Sequence, residues 1–367
     1  MDKKWTNILK YALWTAVAAL LVYFSFRGVD WKDFGAALRG CRWGFVALSM
    51  VLGALAYFVR SLRWRMQLLP LDPSTSRVTC LNAYNICMLT NVVLPRVGEI
   101  VRCGVVSKHS APQAELCDSS GSTPNPRVPN QPHKARRLVT FDKALGTVVV
   151  DRVWDGLSLL VVLVALLALM WNRFGTFFTD MLFPGISGKA HLWWVLALGA
   201  LLVGGFIWLC WRLRERGGLW SRVWGWIRGM YEGLLSCLHM KRGWLFILYT
   251  VIIWGLYWLM AASIIWALQG IDPSGVSPEM GAALGKIGEL GMADALFLMF
   301  AGAVSSLIPV PGGFGAYHGV VAGALSTLYG IPFGVGLVFA TLSHESQVIV
   351  SIVCGACSYV HETFFRR

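Results

Sequence analysis

Charge is scarce in this chain. Only 14% of its residues are Asp, Glu, Lys or Arg, and the 19 acidic side chains are outnumbered by 32 basic ones. So thin a polar complement argues against a water-solvated globular domain of this length. A phosphate-cradling Walker loop, a dinucleotide fingerprint, a nucleophile elbow and a soluble catalytic segment are also missing. ATP-driven pumping by this chain alone is therefore not expected, nor is a cofactor. The nine cysteines are odd in number, and Cys80, Cys87, Cys210, Cys354 and Cys357 fall in apolar stretches, so no disulfide framework is implied. Cys354 and Cys357 share CxxC spacing but have no strand pattern or second CxxC beside them. They read as small packing residues rather than a redox or zinc pair.

What the chain has instead is apolar length. Hydrophobic residues make up 56% of it, in runs near 20 residues at about 8–27, 43–66, 145–171, 191–212, 243–268 and 333–361. This is the pattern of an all-α polytopic integral membrane protein, a single membrane domain over 1–367 with about six to eight full spans. Lys3, Lys4 and Lys10 precede the first run as in a secretory signal. No small-x-small cleavage site follows, so the run is expected to stay as the first membrane helix. Trp5, Trp31, Trp43, Trp193, Trp194 and Trp244 sit near the span ends, as an aromatic belt would.

The net charge of +13 suggests nucleic acid at first sight, but the basic residues lie between apolar segments, where loops facing cytoplasm and anionic lipid account for them. Arg212, Arg214, Arg216, Arg222, Arg228, Lys241 and Arg242 crowd one loop, whereas 172–190 holds only Arg173 and Lys189. The crowded loop is expected inside, and counting outward puts both termini in the cytoplasm of an inner-membrane protein. Arg27, Lys32, Arg39 and Arg42 would then face outward, against the rule. Residues 108–138, rich in Ser, Pro, Asn and Gln, are expected to be a disordered cytoplasmic loop.

Two further apolar segments are interrupted by proline and glycine. Segment 78–107 contains Leu94-Pro95-Arg96-Val97-Gly98-Glu99, and 291–330 contains Ile308-Pro309-Val310-Pro311-Gly312-Gly313-Phe314-Gly315. Unwound backbone is tolerated at membrane depth only where protein or a cavity satisfies it, and paired broken helices mark binding sites in transporters. Each segment is either a re-entrant hairpin or two short helices. If both are re-entrant, they enter from opposite faces in an inverted arrangement.

Ionisable residues cluster at these breaks, where each needs a reason to be present. Arg96, Glu99 and Arg102 are three apart, and with Gly98 permitting close backbone approach they suit a phosphate receptor at a helix start. The same residues also read as a structural Glu99–Arg102 pair with an interfacial Arg96. Asp151, Arg152 and Asp155 lie in the third clear span. The two aspartates share a helix face and could hold an arginine of the first group, or Arg60, Arg63 or Arg65, or else form an interfacial network. Around the second break stand Ser305, Ser306, Tyr317 and His318, and one span later Ser343, His344, Glu345 and Gln347. Pro311, Gly312, Gly313 and Gly315 give close backbone approach and a hinge. His318, His344 and Glu345 contact headgroup, relay protons, or hydrogen-bond structurally. His344-Glu345 lacks the second histidine of HExxH, and no metal is expected. Asp294 and His191 look interfacial.

Four pieces together resemble the lysylphosphatidylglycerol synthase transmembrane-region family. They are Arg63-Trp64, Leu94-Pro95-Arg96-Val97-Gly98-Glu99 through Arg102, Asp151-Arg152-Val153-Trp154-Asp155, and Pro309 to Gly319, ordered across almost the whole chain outside the 108–138 insert. The resemblance implies a flippase-like domain that moves lipids such as aminoacylated phosphatidylglycerol or isoprenoid-phosphate-linked sugars between leaflets. Many members carry an acidic residue where this chain has Tyr317-His318. The chain also ends at Arg367 without the soluble aminoacyl-transfer domain, so it is not expected to be an enzyme that makes the lipid. The expectation is a flippase-like transporter whose partner is a membrane lipid with an anionic or phosphate headgroup. Two rivals are an intramembrane lipid-phosphate enzyme and a non-transporting partner of a lipid- or glycan-modifying synthase.

Overall fold

The computed structural model describes residues 19–27, 29–111, 138–170, 242–272 and 275–365, together with residues 16 and 17 and scattered residues between 197 and 228. Among the described residues all regular structure is helical. The helices are α1 (Trp31–Gly40), α2 (Trp43–Leu68), α3 (Arg77–Val93), α4 (Gly98–His109), α5 (Phe141–Leu169), α6 (Gly243–Leu268), α7 (Pro278–Gly288), α8 (Met292–Ser305), α9 (Ala316–Tyr329) and α10 (Phe333–Val360). Their starts carry local signals. Asp30, Ser76 and Ser277 cap α1, α3 and α7 by accepting from first-turn amides, and Pro278 occupies the first position of α7, where no amide hydrogen is needed.

Four helices, α2, α5, α6 and α10, are long and apolar enough to cross a membrane. They coincide with the expected runs 43–66, 145–171, 243–268 and 333–361 to within a few residues. A fifth is counted only if α7 and α8, bent by 105° at their junction, are taken together. About half of each of the expected runs 8–27 and 191–212 falls among the described residues, which are helical apart from a turn at Arg27, and the 112–137 part of the insert lies outside them. Lys108 and His109 are the last turn of α4, so the expected loop boundary at 108 is two residues early.

Both interrupted segments are helical hairpins. Leu94 is extended, as the residue before a proline is biased to be, and this ends α3. After Pro95 the chain turns through Arg96, which holds φ at 62°, and α4 starts at Gly98. A Cβ on Gly98 would lie 2.2 Å from the Cys87 carbonyl oxygen, so α4 begins in direct contact with the last turns of α3. The Gly98 amide donates to Asn91 Oδ1 at 2.8 Å. At the other end of this hairpin, Glu362 accepts from Asn82 Nδ2 at 2.8 Å and meets His109 Nε2 at 2.6 Å, tying both arms to the turn that follows α10. In the second hairpin α8 and α9 flank a break that includes a tight turn at Pro311–Gly313. The arms close where the Tyr329 hydroxyl donates to Asp294 Oδ1 at 2.9 Å. Asp294 is buried in the protein, in the first turn of α8, where it also accepts from the Gly291 amide. The 17 residues of α3 rise about 25 Å, the 12 of α4 about 18 Å, and the 14 each of α8 and α9 about 21 Å. All are shorter than the ~30 Å hydrocarbon layer.

The tips of the two hairpins touch. Arg96 Nη2 donates to the Leu307 carbonyl at 3.4 Å, and a Cβ on Gly312 would be 3.1 Å from the Val92 carbonyl oxygen. Around them, α2 and α6 pack through Ala56, Val59, Ile253 and Leu256, and the main core joins α1 and α6 to α10 through residues such as Phe34, Ile264, Ile287, Leu298, Leu325 and Val338. Helix α5 leaves Leu160, Val161 and Val164 exposed, the outward apolar face expected of a helix against lipid.

Candidate functional site

The C-terminal half of α2 carries Arg60, Arg63 and Gln67, spaced by three and four so that they share a face. Asp151 and Asp155 share the facing side of α5. Arg63 Nη2 pairs with Asp151 Oδ1 at 2.7 Å and with Asp155 Oδ1 at 2.6 Å. Arg60 pairs with Asp155 and donates to the Tyr257 hydroxyl on α6 at 2.7 Å. From the first hairpin, Arg102 on α4 reaches Asp151 Oδ2 at 3.5 Å, while its guanidinium lies 4.7 Å above the Trp64 ring. The Trp64 indole is held in turn by Thr147 Oγ1 at 2.9 Å. At the rim, Arg152 lies 3.5 Å from Asp155 and 3.7 Å from Glu99, and Glu99 also accepts from Asn91.

Four guanidinium groups therefore face three carboxylates, leaving one cation in excess. Arg63, Arg102 and Asp151 are at most 1% exposed. Buried charges are tolerated only when paired and hydrogen-bonded, and a guanidinium has five N–H donors to place. Arg102 places few of them: its Nε and Nη1 have no hydrogen-bond partner, nor do Arg60 Nε, Arg63 Nε, Trp154 Nε1 and the Gln67 amide. An anion whose oxygens can take several donors at once, such as a phosphate, would satisfy the unmet buried donors of this net-positive cluster.

The second cluster is built on the second break. Gly312, Gly313 and Gly315 hold φ at 58°, 78° and 77°, a region open to glycine, and the resulting turn lays the Gly312 carbonyl on His344 Nε2 at 2.8 Å. A carbonyl only accepts, so Nε2 carries the hydrogen, and in the neutral ring Nδ1 is a bare lone pair. That lone pair faces Glu345 Oε1 at 3.0 Å, and His318 Nε2 is 3.5 Å from the same oxygen. The His344 lone pair and the carboxylate, both acceptors, need a cation between them, a proton or a metal ion, whereas His318 Nε2 can itself carry a hydrogen. The rings of Phe26, Phe314 and Tyr317 pack 5.1–5.4 Å from the two imidazoles, and Tyr317 shares a hydrogen bond with Ser343 at 2.8 Å.

Several sequence expectations change here. Arg96 does not join Glu99 and Arg102 on one side of a helix, because the helix starts after it. Its exposed side chain reaches instead to the other hairpin. Glu99 does not pair with Arg102 but faces Arg152, since the α4 register turns the two residues toward different partners. Asp151 and Asp155 do hold arginines, those of Arg60, Arg63 and Arg102. Among the described residues no hydrogen bond or ion pair joins the arginine cluster to the His318, His344 and Glu345 cluster. The sequence reading missed Gln67, Asn91, Thr250 and Tyr257. These are single polar residues on apolar helices, whose only signal is that a polar group at membrane depth must have a partner.

The family model described as the lysylphosphatidylglycerol synthase TM region matches residues 11–123 and 132–355, which include every residue of both clusters. No curated protein and no solved structure matches the chain.

Proposed function

Because the chain belongs to the lysylphosphatidylglycerol synthase TM-region family and is a multi-pass membrane protein, we propose that it moves an anionic or phosphate-bearing lipid between membrane leaflets, acting as a flippase-like transporter and not as an enzyme. The observation that carries this reading is Arg102: a fully buried guanidinium with two nitrogens unpartnered and a long 3.5 Å pair to Asp151. A headgroup phosphate would take these donors, with Arg60, Arg63 and Arg152 adding charge and Asp151 and Asp155 holding the guanidinium groups in place. The touching hairpin tips support the reading further, since irregular backbone at membrane depth is tolerated where protein buries it or a cavity lies beside it, as at the broken helices of transporters. In this proposal the hairpins enter from opposite faces of the cytoplasmic membrane as an inverted pair, with both chain termini inside. The Arg96–Leu307 contact is then one that must open for a lipid to pass.

The test is native mass spectrometry of gently purified protein, comparing wild type with Arg102→Lys, Arg102→Ala and the tip variant Arg96→Ala. The expected result is one enriched anionic or isoprenoid-phosphate lipid on wild type and on Arg96→Ala, reduced in Arg102→Lys and lost in Arg102→Ala. Bulk lipids in membrane proportions on wild type, or an enriched lipid retained by folded Arg102→Ala, would overturn the proposal.

A further inference from the structure

We propose that His318, His344 and Glu345 form a three-ligand site for a zinc-class divalent ion at the glycine break, although the sequence alone led us to expect no metal. The proposal is independent of the lipid reading and rests on how these side chains meet. One ligand atom from each residue falls within a 4.8 Å cluster. The contacts of 3.0 Å from His344 Nδ1 to Glu345 Oε1 and 3.5 Å from His318 Nε2 to the same oxygen bracket the ~3.3 Å between ligands of a tetrahedral ion with bonds near 2.0–2.1 Å, and the two imidazole nitrogens, within 4.8 Å of each other, would draw in to that spacing on binding.

Three further features favour a metal over a shared proton. The Gly312 carbonyl fixes the tautomer of His344 with its Nδ1 lone pair turned into the cluster, which is the task of an outer hydrogen bond to a metal-ligating imidazole. His318 Nε2 converges on the same carboxylate oxygen from a ring that is 2% exposed, so two imidazoles meet Glu345 where a shared proton would need one. Two imidazoles and a carboxylate suit Zn²⁺ and its transition-metal neighbours, whereas Mg²⁺ and Ca²⁺ take oxygen-rich shells. The rings of Phe26, Phe314 and Tyr317 shield the imidazoles from water, and the Glu345 side chain, 37% exposed, leaves an approach for the ion and an open fourth position. An ion here would fasten the start of α9 to the middle of α10, and through the His344–Gly312 bond it would set the position of the tip that touches the first hairpin. This also gives the glycine run a definite task, since its left-handed turn brings the Gly312 carbonyl onto the imidazole.

The experiment uses the full chain in detergent, stripped with chelator and titrated with Zn²⁺ by calorimetry and elemental analysis, with Co²⁺ as a spectroscopic probe and Mg²⁺ and Ca²⁺ as controls. The expected result is about one Zn²⁺ per chain, a tetrahedral Co²⁺ spectrum that Zn²⁺ displaces, and no uptake of Mg²⁺ or Ca²⁺. Glu345→Gln and His318→Gln should each weaken Zn²⁺ binding by about a hundredfold or more. Absence of Zn²⁺ binding to folded wild type, an octahedral Co²⁺ spectrum, or wild-type binding retained by either folded variant would each overturn the proposal. The wild-type Co²⁺ spectrum decides the matter even if both variants fail to fold.

Discussion

Arg63 on α2 and Asp151 on α5 meet at 2.7 Å with neither side chain more than 2% exposed. This contact joins the first hairpin to the long helices, because Asp151 also receives Arg102 of α4. Breaking a buried pair by removing one partner strands a charge. Replacing both partners with apolar residues need not cost stability. Asp151→Asn is therefore expected to destabilise the protein by about 3–5 kcal/mol, and the double variant Arg63→Met with Asp151→Leu to recover part of that loss. Thermal unfolding in detergent measures both. A single variant as stable as wild type would mean that the pair is not holding the helices together.

Trp64 supports Arg102 in two ways, through its ring face and through the Nε1 bond to Thr147 that fixes the ring. Trp64→Phe keeps an aromatic face but loses that bond, at an expected cost of about 1 kcal/mol. If Arg102 is the headgroup receptor, the same variant should retain less of the enriched lipid in native mass spectra. An unchanged lipid complement would separate Trp64 from the site.

Gly98 and Gly104 lie on the same short helix and predict opposite outcomes. A methyl group at Gly98 would meet the Cys87 carbonyl at 2.2 Å, whereas at Gly104 nothing lies within 4 Å. Gly98→Ala should destabilise by about 1–3 kcal/mol through forced separation of α3 and α4. Gly104→Ala should be neutral or stabilising by up to about 1 kcal/mol through helix propensity. Melting temperatures of the two variants against wild type check the pair.

Asp72, in the turn between α2 and α3, ties down the chain on both sides of the insert. It accepts from Ser74, from Ser110 Oγ at 2.7 Å and from the Ala111 amide at 2.9 Å, while Ser110 Oγ accepts from the Val139 amide. Desolvation raises its pKa, but the hydrogen bonds from Ser74, Ser110 and Ala111 outweigh that and lower it to about 2. A carboxyl depressed in the folded state contributes stability that is fully present above its unfolded pKa, near 4, and is lost as pH falls from about 4 to about 2. The contribution is about 2 kcal/mol. Asp72→Asn should therefore lower stability at neutral pH and flatten the loss between pH 4 and pH 2, as measured by unfolding across that range.

Much of this architecture was legible as apolar length and its interruptions. The runs at 43–66, 145–171, 243–268 and 333–361 reappear as α2, α5, α6 and α10, because a helix that satisfies its own backbone is the structure an apolar stretch of that length can adopt in lipid. The breaks at Pro95 and Pro311 were equally plain, since proline and glycine leave few alternatives for the local backbone. Helix α7 went unmarked, since its 11 residues, three of them glycine, are too short to stand out as an apolar run.

The sequence by itself determined which long segments are helical and where two of them fail. It also showed that arginine, aspartate, histidine and glutamate gather beside those failures, because hydrophobicity and backbone restriction act along the chain. Only the tertiary structure decided who meets whom: Arg63 finds Asp151 across 88 residues, Asn82 finds Glu362 across 280, and Glu99 turns from Arg102 to Arg152. Those partnerships depend on how each helix is rotated and which helix lies against it. That is set by the packing of many apolar side chains at once, and no local spacing encodes it.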